Sequence, residues 1–447
     1  MRTLDVFRDG QLIGQLRDVN DEIEFEYAPK YLAHQPRPIS ASLPLDPPLT
    51  HGARARSFFG NLLPEGDVRT ALSRQYKLDA ADDVGMLAKL GADCAGALVI
   101  LPAGEQPLPD DAPFEQRYVP VADEYEFGQL IDALQMSPTA AFKGILTRMS
   151  LAGAQSKTAI ARFYPDPRIY RSLGGATTHI VKFGGQLDPR GSEVFPGIVF
   201  NEYYCSKIAT ACGIPIRDVE ILPYQTFRDG PREYVFCIER YDRQVSIRHR
   251  PTQLEHRVTR LQQEDFCQAL GRPRTQKYES ADGISLELMF RFCSDPDQII
   301  IPAVARKQLL ELVLFNLLIG NRDSHAKNYS LLRSGFKAEL APAYDLVCTE
   351  VYEGIDRSLP QSIGGASTFD EVGNAQLKRF ADEIELRPAV IRREISRLSK
   401  AILKAAAKVR AESAEQPFAK NALPVIDQVC ARASKNIEEM RARLAHA

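Results

Sequence analysis

No CxxC pair occurs in this chain, and no cysteine stands at a spacing from histidine that suits zinc. The eight cysteines, Cys94, Cys205, Cys212, Cys237, Cys267, Cys293, Cys348 and Cys430, are scattered, which reads as buried free thiols in a reducing cytoplasm. No apolar run approaches the roughly 20 residues of a membrane span, so no membrane is expected. The opening "MRTLDVFRDG" lacks the apolar core of a signal peptide. Neither sign of charge prevails: 56 Lys and Arg stand against 58 Asp and Glu, a formal net charge of −2. That balance gives no global reason to bind nucleic acid, although a local patch still can. Internal repeats and low-complexity tracts are also missing. What remains is ordinary globular composition, 44% hydrophobic and 26% charged, over 447 residues, enough for two or three domains.

The first hundred residues read as β-rich. "LDVF-RDGQ-LIGQL" is a hairpin about Asp9-Gly10. "EIEFEYAP" alternates Ile23, Phe25 and Tyr27 with glutamates, the pattern of a half-buried strand. "SFFGNLLPEGDVRTAL" reads as a turn and then a helix, and "CAGALVILPAG" as a short strand. The Pro- and acid-rich stretch that follows reads as a connection. The expected division is a β-rich accessory domain at 1–105, a linker at 106–125, a strand-rich lobe at 126–245 and a helical lobe at 246–447. In the last, "QEDFCQALG" reads as helical and "ARKQLLELVLFNLLIG" as a buried helix.

Between that buried helix and the next apolar run lies "GNRDSHAKN", a dense polar loop. Asp323 and Asn328 are five residues apart on it. "NYSLL", "RSGF" and "KAELAPAYDL" read as strand, turn and returning strand, which delivers Tyr344 and Asp345 to the same end. Phosphoryl transfer needs such a set: one carboxylate to accept the hydroxyl proton, and an amide with a second carboxylate to hold Mg²⁺ against nucleotide phosphates. The spacing matches the D-x-x-x-x-N of protein-kinase catalytic loops, with Arg322 before the Asp but Asn at 321 in place of His. The bland reading is a set of capping and solvated loop residues, since a lone D-x4-N is common by chance. Lys182, on the apolar strand "THIVKF", is suited to nucleotide phosphates. Glu202, opening the next helix, either holds Lys182 or is simply an acid at a helix N-terminus. "SLAGAQSKTAI" is neither G-x-x-x-x-G-K-[ST] nor G-x-G-x-x-G; its composition alone suits a plain loop entering a strand.

Taken together, "SLAGAQSKTAI", "TTHIVKF", "NEYYCSKIA", "IERYDR", "QEDFCQALG", "KYES", "LLIGNRDSHAKNYSLL" and "YDL", with "YAPKYLA", "SLPL" and "FFGNLLPE" near the start, resemble the HipA family of bacterial serine/threonine kinase toxins. The resemblance runs from near residue 4 to at least residue 350. It implies an α+β, two-lobed protein-kinase-like (HipA-like) fold, with an N-terminal β-rich accessory domain and a helical C-lobe. It implies Asp323 as catalytic base, Asn328 and Asp345 as Mg²⁺ ligands, and Ala152, Gly153, Ala154, Gln155, Ser156 and Lys157 as the nucleotide loop. Lys182 falls on the phosphate lysine, and Glu239, Arg240 and Tyr241 on the hinge that meets the base. His325, Ala326 and Lys327 fall within the nucleotide-contact segment with Asn328, as does Tyr344 beside Asp345. Ser150 falls on the serine that such kinases autophosphorylate. Two departures stand out. Arg322 occupies a position where Thr is frequent, and is expected to alter charge near the acceptor. Ser156 stands where Glu can occur.

The resemblance further implies ATP and Mg²⁺ as cofactors and a translation factor, such as an aminoacyl-tRNA synthetase, as protein substrate. It implies a HipB-like helix-turn-helix antitoxin that joins the kinase on operator DNA. Two other readings are a small-molecule phosphotransferase, and a DNA co-repressor with silent kinase activity. A further stretch, residues 391–410, places Ile391, Ile395, Leu398, Ile402 and Val409 on one helical stripe. Arg393, Arg397, Lys400, Lys404 and Lys408 lie roughly opposite. That basic face is either solvated surface or a DNA-phosphate patch.

Overall fold

In the computed structural model, residues 2–19, 22–136, 157–184, 193–250, 253–279 and 282–445 are described. They form two units: Met1–Gln186 with Leu222–Arg274 and Leu332–Phe336, and Leu187–Ile221 with Thr275–Leu331 and Lys337–Ala447.

Among its described residues the first unit holds two larger sheets and a two-stranded antiparallel ribbon, Arg243–Arg250 with Gln253–Arg260. In the first, Thr3–Arg8 and Gln11–Val19 turn at Asp9 (φ 52) and Gly10 (φ 74), as a twisted hairpin requires. Leu98–Pro102 pairs on one side of this hairpin; Glu22–Tyr27 and Leu49–His51 follow on the other. Phe25 and Tyr27 face inward, and the helix Gly52–Asn61 lays Phe58 and Phe59 over them. "SFFGNLLPEGDVRTAL", expected as a turn and then a helix, instead begins inside the helix Gly52–Asn61, where Phe58 and Phe59 pack into the core, and turns before the helix Gly66–Tyr76. The second sheet orders Val219–Tyr224, Glu233–Glu239, His179–Lys182, Lys157–Phe163, Asp166–Ser172 and Tyr118–Pro120, with Phe127, Ile131 and Leu134 of the helix Glu124–Met136 packed on it. The stretch read as a linker thus carries a short helix, Phe114–Arg117, and an edge strand.

Buried arginines and aspartates join the two sheets inside this unit. Asp93 accepts from Arg243 at 2.9 Å and from the Thr177 hydroxyl at 2.6 Å. Arg240 reaches Asp93 at 3.4 Å and Asp242 at 2.8 Å, and donates to the Cys94 carbonyl. The Gly96 amide donates to Asp242. "QEDFCQALG" is a strand, Gln263–Asp265, then a single helical turn, Phe266–Ala269, with a capping box at Asp265 and Gln268.

The second unit is mainly helical. The helix Ile198–Ala211 packs here, against Pro388–Ala414 and Ala419–Ala445, because Tyr204 and Ile208 are buried between them. The Tyr204 hydroxyl donates to the Ala406 carbonyl at 2.7 Å. Pro302–Ile319 is buried continuously from Leu309 to Ile319, as its all-round apolar pattern predicts. No helix of the described residues is long and apolar enough to cross a membrane. All eight cysteines are free thiols, seven of them buried.

Candidate active site

The buried helix Pro302–Ile319 stops because Gly320 turns left-handed, at φ 85. A Cβ there would stand 2.6 Å from Glu350 Oε2, so space as well as backbone conformation demands glycine. The polar residues that follow bond largely to the loop's own backbone. Asn321 accepts from the Asp323 amide at 3.1 Å and donates to the Asp345 carbonyl at 3.2 Å and to Asn316 Oδ1 at 3.0 Å. One side chain thus ties the backbones of Asp323 and Asp345 together. Asn328 donates Nδ2 to the Asp323 carbonyl at 2.8 Å, which fixes its amide plane and turns Oδ1 to the other side. The Tyr344 hydroxyl lies 2.6 Å from the Lys327 carbonyl and 2.7 Å from the Ser330 hydroxyl, pinning the segment that carries Asp345 to the loop. Asp323, Asn328 and Asp345 therefore belong to one hydrogen-bonded assembly within the second unit.

Asp345 is not on the returning strand, which ends at Leu340; it sits on irregular backbone at φ 60. A non-glycine residue there costs on the order of 1 kcal/mol, strain of the kind that collects at functional sites. Asp323 is exposed, Asn328 and Asp345 are half-buried, and His325, Ala326 and Lys327 are buried.

Arg322 contradicts expectation. Its side chain is wholly buried, paired with Glu350 at 3.0 Å, donating to the Leu317 carbonyl and lying over the Phe369 ring at 4.9 Å. Its charge is neutralised inside and does not alter the acceptor's surroundings.

In the first unit, Lys182 is buried at 5% exposure and lies directly opposite Lys157 on the neighbouring strand, with Phe236 on the other side. Directly paired positions in antiparallel strands share one face of the sheet, so Lys157 and Lys182 project to the same side. Glu202, in the second unit, is buried rather than solvated. Arg240, expected at the nucleotide base, commits its side chain to the Asp93–Asp242 cluster, leaving only its backbone for that role. Its neighbours in that segment differ: Glu239 ends a strand opposite His179, and the Tyr241 hydroxyl donates to Gln263 at 2.9 Å. Ser150 and Ala152 to Ser156 lie outside the described residues.

The ligand set fits Mg²⁺: the Asp345 carboxylate and the Asn328 amide oxygen are hard ligands, and this cation commonly takes one or two carboxylates, with phosphates and water completing the shell. Among the described residues no three His, Cys, Asp or Glu side chains converge as a metal site. One contact was not legible from sequence. Tyr278 donates its hydroxyl to Asp323 Oδ1 at 2.6 Å, across 45 residues. "KYES" is visible as a motif, but only the fold brings it to the loop.

The helix Pro388–Ala414 buries Ile391, Ile395, Leu398, Ile402 and Val409 as expected. Its basic face is narrower than the spacing suggests. Arg397 pairs with Glu394 and with Glu311 at 3.1 Å, and Lys408 lies 3.6 Å from Glu412. Arg393, Lys400 and Lys404 are exposed.

Comparison with known proteins assigns the family. The model of the HipA N-terminal domain matches residues 4–101, and that of the HipA-like C-terminal domain matches 149–406. The chain belongs to the HipA family. Among HipA relatives, the "Putative kinase Y4mE" of Sinorhizobium fredii is 33% identical over 93% of both chains. The "Serine/threonine-protein kinase toxin HipA" of Shewanella oneidensis is 29% identical over 83% of this chain and 81% of its own. The solved structure of Shewanella oneidensis HipA with HipB and operator DNA superposes with a TM-score of 0.78 at 26% identity, covering 99% of this chain and 98% of that one. The α+β, kinase-like fold and the serine/threonine kinase class are those of HipA.

Proposed function

We propose that this HipA chain is an ATP- and Mg²⁺-dependent serine/threonine protein kinase that acts as a growth-arresting toxin on a translation factor, such as an aminoacyl-tRNA synthetase. The observation that carries the reading is the single loop assembly in which Asn321 and Asn328 hold Asp323 and Asp345. Asp323 takes the proton of the acceptor hydroxyl as the oxygen attacks phosphorus. Asn328, through Oδ1, and Asp345 are the residues that would hold Mg²⁺, which when bound offsets phosphate charge. Lys182 and Lys157 supply positive charge for the phosphates, and the 152–157 loop and the backbone of 239–241 take the rest of the nucleotide. The proposed division is an accessory domain at 1–105, a connection at 106–125 and kinase lobes at 126–245 and 246–447, in the cytoplasm.

Autophosphorylation at Ser150 belongs to the same proposal. A phosphate adds roughly −1.5 to −2 charge beside the nucleotide loop, which repels ATP and silences the enzyme. A HipB-like helix-turn-helix antitoxin is the proposed partner, and the pair represses its operon. The relative solved with HipB and operator DNA supports this. The deciding experiment is incubation with γ-labelled ATP and bacterial lysate, followed by mass spectrometry of labelled proteins and of residue 150. Absence of any labelled protein, with ATP bound, would favour the silent co-repressor instead. Labelling of small molecules alone would favour a small-molecule phosphotransferase.

A further inference from the structure

We infer that Tyr278 is a positioning residue for the catalytic base, holding the Asp323 carboxylate in one orientation. The inference rests on the reading of Asp323 as the base.

The contact is short, 2.6 Å from Tyr278 Oη to Asp323 Oδ1, as expected for a hydroxyl donating to a carboxylate. Asp323 itself is exposed, so its rotamer depends on what holds it. Tyr278 is 41% exposed, yet its backbone is fastened on both sides. The Lys277 carbonyl accepts from the Ala326 amide at 3.0 Å, inside the catalytic loop, and from Gln361 at 2.9 Å. The Glu279 amide donates to the Pro360 carbonyl at 2.8 Å, and its carboxylate accepts from the Ser362 amide at 2.6 Å. The ring meets His325 edge-on, with centroids 5.1 Å apart. The phenol therefore reaches Asp323 from a segment anchored to that residue's own loop, and the two move as one piece.

One consequence follows for the chemistry. A carboxylate accepts several hydrogen bonds, so the phenol and an acceptor hydroxyl can share the same group, with the phenol fixing its direction. In the transfer step the acceptor O–H bond breaks, its proton goes to Asp323, the oxygen–phosphorus bond forms and the β–γ bridge of ATP breaks. The Tyr278 proton stays on the phenol throughout.

The test is Tyr278→Phe, which keeps the ring against His325 and removes only the hydroxyl. With γ-labelled ATP and casein as acceptor, kcat should fall roughly 10- to 100-fold, the loss expected for one hydrogen bond to a charged group. KM for ATP and the thermal shift produced by ATP with Mg²⁺ should stay within about twofold of wild type, since the phenol hydroxyl takes no part in holding the nucleotide. A fall in kcat with KM for ATP unchanged is a split that mere loss of packing would not cause. Wild-type kcat in Tyr278→Phe, with Asp323→Asn inactive, would overturn the role of Tyr278 alone. Full turnover by Asp323→Asn would overturn the base assignment and this inference with it.

Discussion

Arg322 and Glu350 are ion-paired inside the protein, Nε donating to Oε1 at 3.1 Å. The other carboxylate oxygen accepts from Asn436 of the last helix at 2.7 Å, so the loop that carries Asp323 is braced from the far end of the chain. Removing one partner leaves the other charge buried and unpaired. Glu350→Ala should cost about 3–5 kcal/mol, and Arg322→Met a similar amount, whereas the double variant should cost less than the sum. Urea denaturation of the four proteins measures the coupling; strictly additive losses would mean the pair contributes nothing.

Asp323→Asn should abolish phosphoryl transfer while ATP binding survives, because the proton acceptor is lost and the Mg²⁺ ligands remain. Label transfer and a thermal-shift titration read the two separately. Turnover at the wild-type rate is the outcome that refutes the assignment.

Asp345→Ala should weaken Mg²⁺-dependent ATP binding at least tenfold, through loss of a charged ligand held at φ 60. Equilibrium binding in Mg²⁺ and in EDTA checks it. If the two proteins bind alike in Mg²⁺, Asp345 is no ligand.

Burial raises the Asp93 carboxyl, but Arg240, Arg243, Arg260 and the Thr177 hydroxyl outweigh it and hold its pKa below the ordinary value. A depressed carboxyl binds fewer protons folded than unfolded. Its stabilisation is therefore complete above the ordinary carboxylate range and lost as pH falls from about 4 through its folded value. Asp93→Asn should destabilise by about 3 kcal/mol at neutral pH and lose less further stability than wild type under acid. Denaturant midpoints across that range decide it; parallel acid profiles would contradict the linkage.

On the helix Pro388–Ala414, Lys400→Glu with Lys404→Glu should weaken operator binding by the antitoxin complex. It should also flatten the log–log salt dependence by roughly 1.8, because two lysines no longer neutralise phosphates. Unchanged affinity and slope would leave a solvated face.

The legible parts of the molecule were those whose signal is local. Alternation exposed Glu22–Tyr27, an unbroken apolar run exposed Pro302–Ile319, and a five-residue spacing exposed Asp323 and Asn328. What escaped was what the fold assembles over distance. Nothing near Arg322 in sequence names Glu350, and nothing near Asp323 names Tyr278. Arg240 reads as a nucleotide contact until Asp93, far upstream, takes its guanidinium. The paired strands Arg243–Arg250 and Gln253–Arg260 were missed because charged residues interrupt their alternation. The basic stripe at 391–410 was overstated for the converse reason: Glu311, which binds Arg397, lies on another helix.

The buried charges around Asp93 also bear on how this chain tolerates change over generations. Asp93 comes from the N-terminal domain, whereas Arg240 and Arg243 follow the strand Glu233–Glu239 some 150 positions later. A substitution at any one of them strands the others in a medium that cannot solvate them. The three positions should accordingly co-vary among homologues, and a chimera that grafts residues 1–101 of a distant relative onto this kinase should fold only if the graft brings a carboxylate to position 93.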